Sequence, residues 1–233
     1  MKPIIVSIYM DNIDKKTIGL QKKVVLKRNP SNIPQLHLGT VMSHADTIDF
    51  VLRGGIDQYV DWDTIMFLDI DAIPLNKQTF EFFFKEAYAG GLIGNAQRSN
   101  HIVNGQHMFA APSAFALSRK TYEKLGKPSA VPNSRGDVGE EITWALDNTD
   151  IPLTLLIPIS YDRPVIRMSW ETDKSPTWKL ADGYPHYGVG TRFGLDIDDG
   201  ESIPLIYHNF QIFHGDHQTY FQNVCEQELS KQE

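Results

Sequence analysis

Three short apolar runs, separated by two segments of helical spacing within the first seventy residues, leave this chain few folds to adopt. Pro3 to Tyr9 (PIIVSIY) and Thr64 to Leu68 (TIMFL) are compact apolar runs of the kind that form buried strands. Between them, residues 15–27 carry Ile18, Val25 and Leu26 at helical spacing. Ile33 to Leu38 is a second extended stretch, bracketed by Asn-Pro and Gly39. Ser43 stands as the N-cap of a helix that runs to about Arg53 and stops at Gly54-Gly55. Strand–helix–strand–helix–strand predicts an α/β sheet with a substantial parallel part.

The pattern continues less regularly. Gln78 to Tyr88 is a phenylalanine-rich helix, Gly91 to Ala96 a strand, and Ala114 to Leu117 a strand leading into a helix from Arg119 to Leu125. Residues 128–136 form a loop with two prolines, Val138 to Leu146 a helix and Leu153 to Ile157 a strand. Arg163 to Glu201 reads as loop. Leu205 to Phe213 is the last strand, followed by a polar helical tail. With 233 residues, no repeat and no low-complexity linker, one domain over 1–233 is expected, its C-terminal half embellished.

Composition narrows the function classes. A hydrophobic fraction of 41% and a charged fraction of 22% exclude a disordered or fibrous chain. A single cysteine, Cys225, excludes an intrachain disulfide framework and any multi-cysteine metal site, and points to a reducing, cytoplasmic setting. The opening MKPIIVSIYMD is too short an apolar run for a signal peptide or a membrane span, so no membrane insertion is expected. The net charge of −7 disfavours non-specific nucleic-acid binding, which depends on neutralising phosphates. Residues 1–60 are nevertheless net basic, with Lys15, Lys16, Lys22, Lys23, Lys27 and Arg28 clustered; a solvated helix face is the favoured reading and a polyanion surface the alternative.

The chemistry concentrates at TIMFLDIDAIPL. A buried strand ends in Asp69-Ile70-Asp71 before Pro74 stops regular structure, and ligands of open α/β sheets bind outside the carboxyl ends of strands. Strand alternation places Asp69 and Asp71 on one side. Two carboxylates facing one way call for a cation, and Mg²⁺ or Mn²⁺ prefers such oxygen ligands. The other D-x-D triplets, Asp61/Asp63 and Asp196/Asp198, lack a preceding buried strand.

An apolar strand running into D-x-D resembles glycosyltransferases of the GT-A fold, in which the pair holds a divalent metal against a nucleotide-sugar diphosphate. Tyr9-Met10-Asp11-Asn12, Ala111 to Gly126 (APSAFALSRKTYEKLG) and Gly136 to Leu146 (GDVGEEITWAL) match that pattern in order. The resemblance covers residues 3–160 best. It implies a Rossmann-like α/β fold with a mixed, mostly parallel sheet and helices on both faces. The nucleotide-sugar part would occupy about 1–120, and the acceptor part and a metal-ligating tail about 121–233. It further implies donor contacts from Tyr9, Asp11, Asn12, Asp69 and Arg119. A closer likeness is to small glycosyltransferase-like proteins of bacterial viruses.

In the GT-A pattern an acid near residue 140 faces the acceptor hydroxyl. Glu140 and Glu141 also suit a helix start on dipole grounds, and adjacent helical residues point about 100° apart, so only one can face the site. Glu141 is the favoured catalytic acid, with Asp137 and Glu140 in reserve. The tail of many metal-dependent GT-A enzymes supplies a histidine ligand. His214, before Gly215, is preferred over His208, since six extended residues span about 20 Å and both cannot reach one metal unless the chain bends. Gly188 to Arg192 (GVGTR) is similar to a phrase of nucleotidyltransferases, where it follows the first strand. Its late position argues against sugar-nucleotide synthesis, leaving a lid near Trp178, His186 and Tyr187, or ordinary loop packing.

The expected activity is metal-dependent transfer from a nucleotide sugar, a UDP-sugar first, to a hydroxyl acceptor. Modified DNA bearing hydroxymethylated pyrimidines, protein and glycan all stand as acceptors. A nucleotidyltransferase and an inactive nucleotide- or carbohydrate-binding protein are the alternatives.

Overall fold

The structure is a computed structural model that describes residues 1–99, 107–163, 188–196, 202–210, 212–213 and 215–232. Its elements in order are β1 (Pro3–Tyr9), α1 (Lys15–Lys27), β2 (Gln35–Gly39), α2 (His44–Leu52), β3 (Thr64–Leu68), β4 (Ala72–Pro74), α3 (Thr79–Tyr88), β5 (Leu92–Gln97), β6 (Phe109–Ser118), α4 (Arg119–Lys124), α5 (Glu140–Trp144), β7 (Leu153–Ser160), β8 (Thr191–Asp196), β9 (Ser202–His208) and α6 (His217–Ser230). The strands form one sheet in the order β2-β1-β3-β6-β5-β7-β8-β9-β4. The pairs β1–β2, β1–β3 and β5–β7 are parallel and the others antiparallel. Followed along the sheet, six of the nine described strands run one way, and β4, β6 and β8 the other.

Strand alternation divides the core between the two faces. Ile65 and Phe67 of β3 point, with Ile4 and Val6 of β1, toward Ile48, Val51 and Leu52 of α2, Tyr122 of α4 and Ile142 of α5. Met66 and Leu68 point the opposite way, onto Phe80, Phe83 and Phe84 of α3. Helices therefore cover both faces, as the α/β pattern requires. A third cluster joins α1 to α6 through Leu20, Val24, Phe221, Val224 and Cys225. The buried apolar positions of α1 are Leu20, Val24 and Val25; Leu26, expected on that side, is 65% exposed.

Three expectations about elements change. The helix expected over Val138–Leu146 is the shorter α5, because Asp137 to Gly139 form a turn in which Gly139 takes a positive φ of 78°. The region expected as loop from Arg163 to Glu201 contains β8, which pairs with both β7 and β9. The last strand ends at His208 rather than Phe213, since Asn209 turns its N–H to the Asp71 carbonyl at 2.8 Å and Phe210 adopts a φ of 53°.

Between Gly94 and Asn95 the β5–β6 register shifts, and β6 passes very close. A Cβ on Gly94 would stand 2.8 Å from the Cβ atoms of Ala110 and Phe115 and 2.9 Å from the Ala114 carbonyl oxygen. Because those neighbours are backbone or backbone-fixed atoms, Gly94→Val is expected to destabilise the protein by about 1–3 kcal/mol. Urea unfolding midpoints of wild type and variant check this, and equal midpoints would mean that β6 can move aside.

Candidate metal centre

The strands that share a direction carry their carboxyl ends to one rim of the sheet, and a cleft of about 300 Å³ opens there. Ile8, Tyr9 and Met10 reach it from the end of β1, Asp69, Ile70 and Asp71 from the end of β3, Gln97 from β5 and His208 from β9. Antiparallel β6 brings its amino-terminal half, with Phe109, Pro112 and Ser113, to the same rim. Phe210, Ile212, Phe213, Asp137 and Val138 complete its lining.

Asp69 and Asp71 converge here, though not through strand alternation. They follow the end of β3, in a turn closed by the Ala72 N–H donating to the Asp69 carbonyl at 2.9 Å. Sheet register then decides the third group. Ala72 pairs with His208 across β4–β9, so the last residue of β9 lies opposite the residue after Asp71. His208 Nε2 is 3.4 Å from Asp71 Oδ1. Asp71 is 7% exposed and His208 5%. Beneath them Gln21 of α1 donates to the Ala72 carbonyl and to Ser7, which ties β4 to β1.

One ligand atom from each of Asp69, Asp71 and His208 lies within 4.8 Å of the other two. Donors about 2.1 Å from a common ion stand about 3 Å apart when adjacent and about 4.2 Å when opposite, so the spacing suits a small divalent cation. Two carboxylates and one imidazole suit Mn²⁺ or Mg²⁺ better than a thiophilic metal. Burial opposes charge on His208, but Asp71 and Asp69 outweigh it and hold its pKa above the ordinary histidine value. His44, at the start of α2, repeats the arrangement on the other side. Its Nε2 is 3.0 Å from Asp69 Oδ1, and the two aspartates raise its pKa against the effect of burial.

The remaining residues singled out from the sequence are distributed as follows. Tyr9 lines the cleft and packs its ring over Gly39. Asp11 and Asn12 lie in the exposed turn after β1 and face solvent, while Ile13 of the same turn points inward. Arg119 is a correction. It starts α4 at the opposite end of β3, where its backbone N–H bonds the Asp63 carbonyl. Its guanidinium forks onto Asp57 at 2.7 and 2.9 Å and covers the Trp62 ring. A five-residue strand, about 16 Å, separates it from the cleft.

Of the three acids near residue 140, Glu141 does not line the cleft. Arg135 Nε and Asn133 Nδ2 hold its carboxylate at 2.6 and 2.8 Å, and they lower its pKa. Glu140 is 1% exposed and fully engaged: it accepts from Ser99 Oγ, from His107 Nδ1 and from the Asp137 N–H, at 2.7, 2.7 and 2.8 Å. Asp137 is the acid that reaches the cleft. The Glu140 bond to its backbone N–H fixes the turn that presents it.

His214, preferred as third ligand from the sequence, lies outside the described residues, as do Trp178, His186 and Tyr187. The described residue that joins the aspartates is His208. Its signal was its place at the end of an apolar strand, but only the β4–β9 pairing turns that place toward Asp71. His44 had no sequence signal, being one histidine at a helix start far from the aspartates in sequence. The Gly188–Arg192 phrase is packed structure rather than a lid. Val189 and Thr191 are buried, Thr191 Oγ1 donates to the Gly188 carbonyl, and a Cβ on Gly190 would meet Asp162 Oδ2 at 2.2 Å.

No protein-family model matches the sequence, and no curated protein matches it. Among the described residues no helix is long and apolar enough to cross a membrane. Solved structures give similarities in shape. One is Drosophila β1,4-galactosyltransferase 7 in a complex with manganese, UDP-Gal and xylobiose, at 13% identity and a TM-score of 0.46, over 91% of this chain and 97% of that one. The galactosyltransferase LgtC gives 14% identity and a TM-score of 0.41, over 66% and 72%. The 4-diphosphocytidyl-2C-methyl-D-erythritol synthase of Anaerococcus prevotii gives 8% identity and a TM-score of 0.40, over 66% and 87%.

Proposed function

We propose that this protein is a metal-dependent glycosyltransferase that moves a sugar from a nucleotide sugar, a UDP-sugar first among them, to a hydroxyl acceptor. The observation that carries the reading is the convergence of Asp69, Asp71 and His208 within 4.8 Å at the wall of a cleft on the carboxyl rim of the sheet. Among the described residues, the charged side chains that line this cleft are the three aspartates and two histidines, with no lysine or arginine. A cation at the aspartates would offset their negative charge and favour the entry of a diphosphate. Asp69, Asp71 and His208 would hold Mn²⁺ or Mg²⁺, which when bound would supply the positive charge that a departing nucleoside diphosphate needs. Tyr9 and the apolar side chains of Ile8 and Met10 offer a surface for the nucleoside at the end of β1. Residues 1–120 would supply most of the donor site and the remainder the acceptor side, with β9 contributing its metal ligand.

Asp137 takes the role that the sequence assigned to Glu141. It faces the cleft, and its carboxylate is the group placed to accept or orient the acceptor proton. Asp137→Asn is expected to lower kcat by about a hundred- to ten-thousand-fold with donor affinity retained, whereas Glu141→Gln stays close to wild type. Steady-state kinetics on both variants check this, and a large loss confined to Glu141→Gln would return the role to that residue.

Modified DNA is a poor fit as acceptor. Lys16 pairs with Glu226 at 2.9 Å, Lys27 donates to the carbonyls of Glu228, Leu229 and Lys231, and Arg28 pairs with Glu228. Half of the basic cluster thus fastens α1 to the end of α6. A neutral hydroxyl acceptor suits the mostly apolar cleft better. The reading is tested by thermal-shift screening of nucleotide sugars with and without Mn²⁺. A metal-dependent rise in Tm with one nucleotide class is expected, and no response to any of them overturns the assignment.

A further inference from the structure

We infer that His44 is a positioning residue that fixes the orientation of the Asp69 carboxylate for the metal; the inference rests on the metal reading of Asp69, Asp71 and His208. The three ligating residues are not equally constrained. Asp71 and His208 are buried side by side, each held in place by the other and by the β4–β9 pairing. Asp69 stands at the open edge of the turn with its side chain 21% exposed, free to rotate about its terminal bond unless something holds one oxygen. His44 does so: its Nε2 donates to Asp69 Oδ1 at 3.0 Å, which leaves Oδ2 for the ion.

The backbone that carries the imidazole is held by the cap of α2. Ser43 caps α2 with its Oγ accepting from the Asp46 N–H at 3.1 Å, and Thr47 Oγ1 donates to the Ser43 carbonyl at 2.8 Å. The first turn of the helix is therefore rigid at the residue that carries the ring. His44 is not one of the three residues whose ligand atoms gather within 4.8 Å, so it acts on Asp69 rather than on the ion. A fixed carboxylate loses less freedom when a cation arrives, and groups that orient metal ligands in this way typically contribute ten- to a hundred-fold to affinity.

The experiment is Mn²⁺ titration without nucleotide, by calorimetry and by the loss of the free-ion electron paramagnetic resonance signal. Wild type, Asp71→Ala, His44→Ala and His44→Gln are compared. His44→Ala is expected to weaken Mn²⁺ binding about ten- to a hundred-fold, and His44→Gln, whose Nε2 can donate to the same oxygen, to recover most of the loss. Unchanged affinity in His44→Ala, beside a wild type that binds and an Asp71→Ala that does not, overturns the role of His44 alone. Equal losses in the alanine and glutamine variants also overturn it, since they would make the imidazole a direct ligand. A wild type that binds no Mn²⁺ overturns the metal reading beneath it. Far-ultraviolet circular dichroism confirms that both His44 variants fold; Gln keeps the helix start, and His44 at 33% side-chain exposure lies outside the core.

Discussion

Asp71→Ala is expected to abolish metal-dependent donor binding, with kcat/KM for sugar transfer down by about a hundred- to a thousand-fold. A divalent ion at a departing diphosphate is worth several kcal/mol, and about 1.4 kcal/mol is one decade in rate. Asp71 is the ligand whose loss does most. It is 7% exposed and lies against His208, and its carbonyl, which alanine keeps, accepts the Asn209 N–H at 2.8 Å. Alanine leaves the buried His208 without its carboxylate partner, so the metal-free variant should fold but unfold earlier than metal-free wild type. Calorimetric titration of a UDP-sugar with Mn²⁺, followed by thermal melts in chelator, measures both halves. A folded variant with undiminished metal-dependent affinity sinks the site.

Glu140→Ala is expected to cost about 3–5 kcal/mol of stability, the toll of breaking a buried charged network, or about 6–20 °C in Tm for a chain of this size. Alanine would leave Ser99 Oγ, His107 Nδ1 and the Asp137 N–H without this acceptor, while His107 would keep its stacking on Trp144 at 3.6 Å. The network also sets a pH dependence. Burial raises the Glu140 pKa, but His107, the Asp137 N–H and Ser99 outweigh it and hold the carboxyl below its ordinary value of 4.5. A carboxyl depressed on folding contributes stability that is present above the unfolded pKa and is lost as pH falls through the folded one. Wild type should therefore lose stability below about pH 4.5, and Glu140→Gln should lose less over the same interval. Denaturant unfolding between pH 3 and 7 checks this; parallel curves for the two proteins would remove Glu140 from the account. Because Glu140 also holds the turn of Asp137, the variant should lose activity before it loses its secondary structure.

Most of the sheet and its helices could be read from local pattern alone. β1, α1, α2 and β3 begin and end within a residue of the positions their apolar spacing, caps and glycines indicate, because each of those signals acts within one turn or one strand. The same holds for the aspartates: a buried strand that runs into Asp69-Ile70-Asp71 at the sheet's carboxyl rim was enough to single them out. Local pattern failed where a strand depends on a distant partner. β4 is three residues long and β8 lies among glycines, and both exist through their pairing with β9. That pairing is also what sets His208, rather than any residue chosen by its own flanks, against Asp71.

Acids and bases were harder to assign than strands, for a related reason. Nothing in Gly136–Leu146 distinguishes Asp137, Glu140 and Glu141 by type. Their roles follow from partners that arrive from elsewhere: His107 and Ser99 engage Glu140, Arg135 occupies Glu141, and Asp137 lines the cleft. Arg119 shows the same effect in reverse, since a sequence places it after a cleft-lining strand while antiparallel β6 carries it to the far end of the sheet. The sequence by itself determined the α/β alternation, the buried strands and the pair of carboxylates at the end of β3. Only the tertiary structure decided which histidines meet those carboxylates and which acid lines the cleft, because strand register and ion pairing are set by residues far apart in the chain.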